Sequence, residues 1–151
     1  MQPIKTILCP TDFSPCSRAA LQLAMQLAKN LGAKLRLVHV FQLPYYTGME
    51  DGLGMAMLTP DFIQALRAPG EQHVKTLLEE CTKAGIDAEA EQIDGVPYAQ
   101  LVALSEQVDL IVMGTHGRTG LPRLMLGSVA ERVVRLSKCP VLTVPSPSED
   151  K

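Results

Sequence analysis

The sequence predicts an α/β protein: a three-layer sandwich with a five-stranded parallel sheet and two helices on each face. Three observations lead there. Short apolar runs alternate with segments of helical period along the whole chain, giving β-α-β-α-β-α-β-α-β. That alternation builds a parallel sheet covered on both faces. Turn and capping residues (Pro, Gly, Ser, Thr, Asp) punctuate the joints. The 151 residues are 46% hydrophobic and 20% charged, enough for one core without disulfides or metal.

Taken in order, residues 4–9 (IKTILC) form strand 1, which Pro10 closes. Ser14 before Pro15 is a helix start, a capping hydroxyl followed by a residue that needs no donor. Ala20, Leu23, Ala24, Leu27, Ala28 and Leu31 then recur at three- and four-residue spacing, and Gly32 ends the helix. Residues 34–40 are strand 2. Residues 41–58 show no period; they hold Met49, Met55 and Met57 with three glycines, and read as a long loop. Thr59-Pro60-Asp61 restarts a helix, which Pro69-Gly70 is expected to break before it resumes from Glu71 to Lys83, ending at Gly85. Residues 86–93 alternate polar and apolar as an edge strand 3. Residues 97–107 are a short helix, 108–113 strand 4, 128–137 the last helix and 140–144 strand 5. Residues 1–146 are expected to make one domain, and 147–151 a polar tail.

The bulk numbers also exclude. A net charge of −2 gives no basic field to attract nucleic acid. No apolar run approaches the roughly 18 residues of a membrane span, and the first residues lack a secretory apolar segment. A cytoplasmic protein follows as the expectation. Cys9, Cys16, Cys81 and Cys139 form no C-x-x-C pair and lie at no zinc-finger spacing from histidine, so they read as reduced, mostly buried thiols.

The chemistry concentrates in residues 108–144. Strand 4 feeds a loop carrying Gly114, Gly117, Gly120 and Gly127, and Ser128 opens a helix. Glycines let backbone amides approach an anion, and the helix start adds partial positive charge. In an open parallel sheet a ligand sits where the strand order reverses; if strands 1, 2 and 3 run outward one way and strands 4 and 5 the other, the order 3-2-1-4-5, the crevice lies between strands 1 and 4. That places Pro10, Thr11 and Asp12 opposite the glycine loop, an arrangement suited to a nucleotide. The P-loop is excluded because the chain has no Gly-Lys pair; the dinucleotide fingerprint is excluded because PTDFSP follows strand 1. Several residues have plainer readings. Ser128 with Glu131 is a capping box. Asp12 suits an Asx turn before Ser14. His116 is a loop-shaping hydrogen-bonder, His39 a packed strand residue, and Arg118 and Arg123 are solvated or phosphate-neutralising cations.

Gly114-x-x-Gly117, nine residues, then Gly127-Ser128 matches G-2x-G-9x-G-[S/T], and this stretch resembles the C-terminal signature of the universal stress protein family, ATP-binding branch. The opening ILCPTDFSPCSRAAL resembles that family's first strand and Asp-containing turn. The resemblance implies a Rossmann-like fold that binds ATP, alone or with Mg²⁺. It implies that Asp12, with Pro10 and Thr11, lies against the adenosine and that Val40 contacts the adenine. Met113 and Gly114 would border ribose and phosphates, Gly117 and Arg118 would follow the phosphate chain, and Gly127, Ser128 and Val129 would present amides and a hydroxyl to it. It further implies a homodimer through strand 5 (Val141, Leu142, Val144), whose apolar edge needs cover, and a downstream protein partner in a stress response. A slow ATPase or phosphotransferase at the same site is the competing reading. It is thin, because the loop carries no carboxylate to orient water. A nucleotide-independent chaperone or scaffold using the 41–58 loop is the third.

Overall fold

The computed structural model describes residues 2–44, 52–117 and 125–147. Its elements are β1 (Thr6–Pro10), α1 (Pro15–Leu31), β2 (Lys34–Phe41), α2 (Leu53–Ala56), α3 (Pro60–Lys83), β3 (Ala88–Asp94), α4 (Pro97–Leu104), β4 (Leu110–Gly114), α5 (Ser128–Leu136) and β5 (Val141–Val144). The sheet order is β3-β2-β1-β4-β5 and every pair is parallel, as expected from the sequence.

Successive strand residues point to opposite faces, and the core divides accordingly. On one face Ile7, Cys9, Leu35, Leu37, Leu110 and Val112 meet Ala20, Leu21, Ala24 and Ala28 of α1 and Cys81 of α3. On the other, Leu8, Val38, Ile111 and Met113 meet Leu101 of α4 and Ala130 and Val133 of α5. Two helices thus cover each face, the long α1 and α3 on one and the shorter α4 and α5 on the other. The four cysteines are free, with Cys9, Cys16 and Cys81 buried. Burial pushes the Cys9 thiol up to about 12. Among the described residues no helix is long and apolar enough to cross a membrane.

The expected caps are in place: Ser14 accepts from the Ser17 amide, Thr59 from the Phe62 amide, and Gly32 closes α1 at φ 64°. Three expectations are corrected. First, α3 runs unbroken through Pro69. The hydrogen bond that proline forfeits belongs to the carbonyl of Ala65, and both residues are exposed, so water can replace it. Gly70 serves packing instead: a side chain there would collide with Gln92 and the His39 ring. Second, the loop of residues 41–58 contains a single helical turn, α2; residues 45–51 of it, with Met49, lie outside the described residues. Third, Ser128 is not a cap. Gly127 holds that position, and Ser128 is the first helical residue, so the capping box does not form. The Gly127 amide donates to the Thr115 carbonyl at 2.8 Å, which fixes Gly127 in extended geometry and starts the helix one residue later.

Candidate functional site

β1 and β4 pair at Ile7↔Leu110 and Leu8↔Ile111, and then part. At the amino end of this seam, Asp109 clips the two strands together. Its carboxylate accepts the amides of Lys5 at 2.9 Å and Thr6 at 2.8 Å, and its own amide donates to the Thr6 carbonyl. At the carboxyl end each strand is tied outward instead. The Thr11 amide donates to the Val38 carbonyl at 2.9 Å, and the Thr115 amide to the Val144 carbonyl at 2.9 Å. A crevice of about 430 Å³ opens between them, within the range of small-molecule sites.

One wall is the turn after β1. The Asp12 carboxylate accepts the Ser14 amide at 3.0 Å, the expected Asx turn, and the Thr11 hydroxyl accepts the Phe13 amide at 3.0 Å. These bonds hold Phe13 at φ 64°, a left-handed conformation rare for a bulky residue. Its ring lies between His39 and His73, with centroids 4.5 and 4.7 Å away. The His39 Nδ1 sits 2.8 Å from the Thr11 carbonyl, which assigns the proton to that nitrogen.

The other wall is the glycine loop and the start of α5. Gly117 faces Asp12: a Cβ there would lie 2.6 Å from Asp12 Oδ2. Gly114 differs. Its missing Cβ faces the Cys16 sulfur, 2.7 Å away, so this glycine seats β4 against α1. A Cβ on Gly127 would lie 3.0 Å from the Thr115 carbonyl. No side chain caps α5, whose first residues Ser128, Val129 and Ala130 line the crevice. The contrast with α1 and α3, both capped by hydroxyls, leaves the α5 amides directed at the cavity.

Pro10, Thr11, Asp12, Val40, Met113, Gly114, Gly117, Gly127, Ser128 and Val129 all line this one crevice. Arg118, Gly120 and Arg123 lie outside the described residues. Sequence reasoning missed Ser17, Val38, Gln42, Pro97, Leu101, Thr115 and Ala130, which also line it, and placed His39 only in the packed strand. None carries a local motif; strand register and helix packing alone bring them there. His116 hydrogen-bonds the Thr115 hydroxyl at 2.8 Å, the loop-shaping role expected of it. Val38, Val40, Pro97, Leu101 and Met113 make an apolar floor, while Asp12, Ser128 and the open helix end supply polarity. Such a cavity can take a flat apolar ring at one end and an anion at the other. Asp12 is the one carboxylate among the described lining residues. No cluster of three or more His, Cys, Asp or Glu among the described residues is placed to hold a metal ion.

Comparison with known proteins agrees with this architecture. The model of the universal stress protein family matches residues 3–145. The universal stress protein MJ0531 of Methanocaldococcus jannaschii is 34% identical over 148 residues, covering 97% of this chain and 85% of that protein. The solved structure of MJ0577, from the same organism, superposes with a TM-score of 0.82 at 27% identity, covering 98% of this chain and all of the other. A universal stress protein solved in complex with cAMP superposes with a TM-score of 0.69 at 28% identity, covering 97% of this chain and 100% of that one. The chain belongs to the universal stress protein family.

Proposed function

We propose that the crevice binds ATP and that the protein acts as a nucleotide-dependent, homodimeric stress-response module of the cytoplasm. The observation that carries this reading is the uncapped start of α5 facing Asp12 across Gly117, in a cavity with an apolar floor. A relative of 28% identity solved with cAMP supports a nucleotide as the ligand class. In this reading Pro10, Thr11, Asp12 and Val40 hold the nucleoside, with Met113 beside the ribose. Gly117, Gly127, Ser128 and Val129 receive the phosphates, joined by Arg118. Gly114 serves indirectly, by seating the loop on Cys16. Any Mg²⁺ arrives with the phosphates, since the described lining offers one carboxylate. Bound ATP would supply charge and loop order; turnover is not required.

Denaturing the purified protein and identifying released nucleotide by mass spectrometry tests the ligand, with calorimetry on ATP, AMP, cAMP and adenosine to rank affinities. Absence of both co-purified nucleotide and measurable ATP binding overturns the reading. For the dimer, β5 is a sheet edge, and its Leu142 is 39% exposed. Val141 and Val144 are half-buried, so Leu142 is the outward residue of the three expected at the interface. Sedimentation should show a dimer that Leu142→Lys dissociates.

A further inference from the structure

Resting on the nucleotide reading, we infer that Arg132 reads the phosphate chain and gives the site its preference for ATP over adenosine. No lysine or arginine lines the crevice among its described residues. A phosphate chain of several charges favours more than one cation nearby, so Arg118 leaves room for a second. Arg132 lies one helical turn after Ser128 on α5, so the two share a face, and helical side chains lean back toward the amino end. Its guanidinium carbon sits 4.6 Å from the centroid of the Tyr98 ring. Tyr98 adjoins Pro97, a lining residue at the start of α4. The charge is therefore held between the starts of two helices that both border the crevice, and neither start carries a side-chain cap.

The other described arginines are neutralised. Arg18 pairs with Glu80, Arg36 with Glu89 and Glu91, Arg67 with Glu71 and Asp94, and Arg135 with Glu131. Among the described arginines, Arg132 is the one that meets no carboxylate. Glu131, its neighbour in sequence, is committed to Arg135. An aromatic face fixes a guanidinium without cancelling its charge, so the donors remain available to an anion. A second role, tying α4 to α5, is compatible with the same stacking and predicts a different outcome on substitution.

The test is calorimetry on the full chain with ATP and adenosine, comparing wild type, Arg132→Gln and Arg132→Lys at two salt concentrations. Expected is a loss of ATP affinity of about tenfold in Arg132→Gln, adenosine affinity within about twofold, partial recovery in Arg132→Lys, and a weaker salt dependence. Equal ATP affinity in wild type and Arg132→Gln overturns the inference while leaving the nucleotide reading intact. Parallel losses for ATP and adenosine assign Arg132 to helix packing and also overturn it. Failure of wild type to bind ATP overturns both. Tyr98→Leu, which keeps the charge and removes its platform, should lower ATP affinity less than Arg132→Gln does.

Discussion

The Asp12 carboxylate stands over the α-carbon of Gly117, so closely that a Cβ there would lie 2.6 Å from Oδ2. Asp12 cannot easily retreat, because its other oxygen accepts the Ser14 amide. The two residues are 105 positions apart in the chain and define the width of the crevice at that point.

Gly117→Val should therefore act on binding and spare the fold. Gly117 is exposed, and among the described residues the atoms its Cβ would meet belong to Asp12. Stability in urea should fall by only about 1 kcal/mol, the cost of displacing the Asp12 carboxylate from the Ser14 amide, while ATP affinity falls by more than about tenfold. Unchanged affinity by calorimetry would remove Gly117 from the site.

Gly114→Ala should do the reverse. Its Cβ would meet the Cys16 sulfur at 2.7 Å and the Cys16 carbonyl carbon at 3.1 Å. Overpacking of this kind costs about 1–3 kcal/mol. Adding Cys16→Ala should recover part of that loss, since the sulfur goes but the backbone stays. A double mutant no more stable than Gly114→Ala alone would show that the clash lies elsewhere.

Asp109→Ala leaves two amides without their acceptor at the amino end of the central seam. The Lys5 site is exposed and water can serve it; the Thr6 site is part-buried. A loss of about 1–2 kcal/mol is expected in urea denaturation. Wild-type stability in this variant would mean that strand pairing alone holds the seam.

Cys9 gives a pH dependence with a definite sign. Its folded value, about 12, lies above the ordinary 9.0. The unfolded chain thus loses this proton first as pH rises. The stabilisation is complete below pH 9 and falls away between pH 9 and 12. Cys9→Ser, which lacks that titration, should show a shallower decline there. In native protein at pH 8, mass spectrometry after alkylation should find Cys9 unmodified.

The parallel sheet, the hydroxyl caps at Ser14 and Thr59, and the Asp12 turn and glycine loop were legible because each rests on local chemistry or on strict alternation, which by itself leaves the order of the strands open. Three things were not. The continuity of α3 depends on Pro69 and Ala65 both facing water, which a proline in a sequence does not reveal. The start of α5 depends on the Thr115 carbonyl binding the Gly127 amide, a contact across eleven intervening residues. Equally hidden was the distinction between Gly114 and Gly117, identical letters in one motif. One leaves space for a helix and the other for the Asp12 carboxylate, and only the packing of Cys16 and Asp12 tells them apart.

The short seam between β1 and β4 has an evolutionary consequence. Main-chain hydrogen bonds survive most substitutions unchanged, and here they cover only two residue pairs plus the Asp109 clip. Toward the crevice the two strands are tied outward to Val38 and Val144, and Cys16 of α1 packs against Gly114 and donates to the Val144 carbonyl at 3.4 Å. The aperture of the site can therefore drift by single exchanges at a buried position that lies outside the cavity lining.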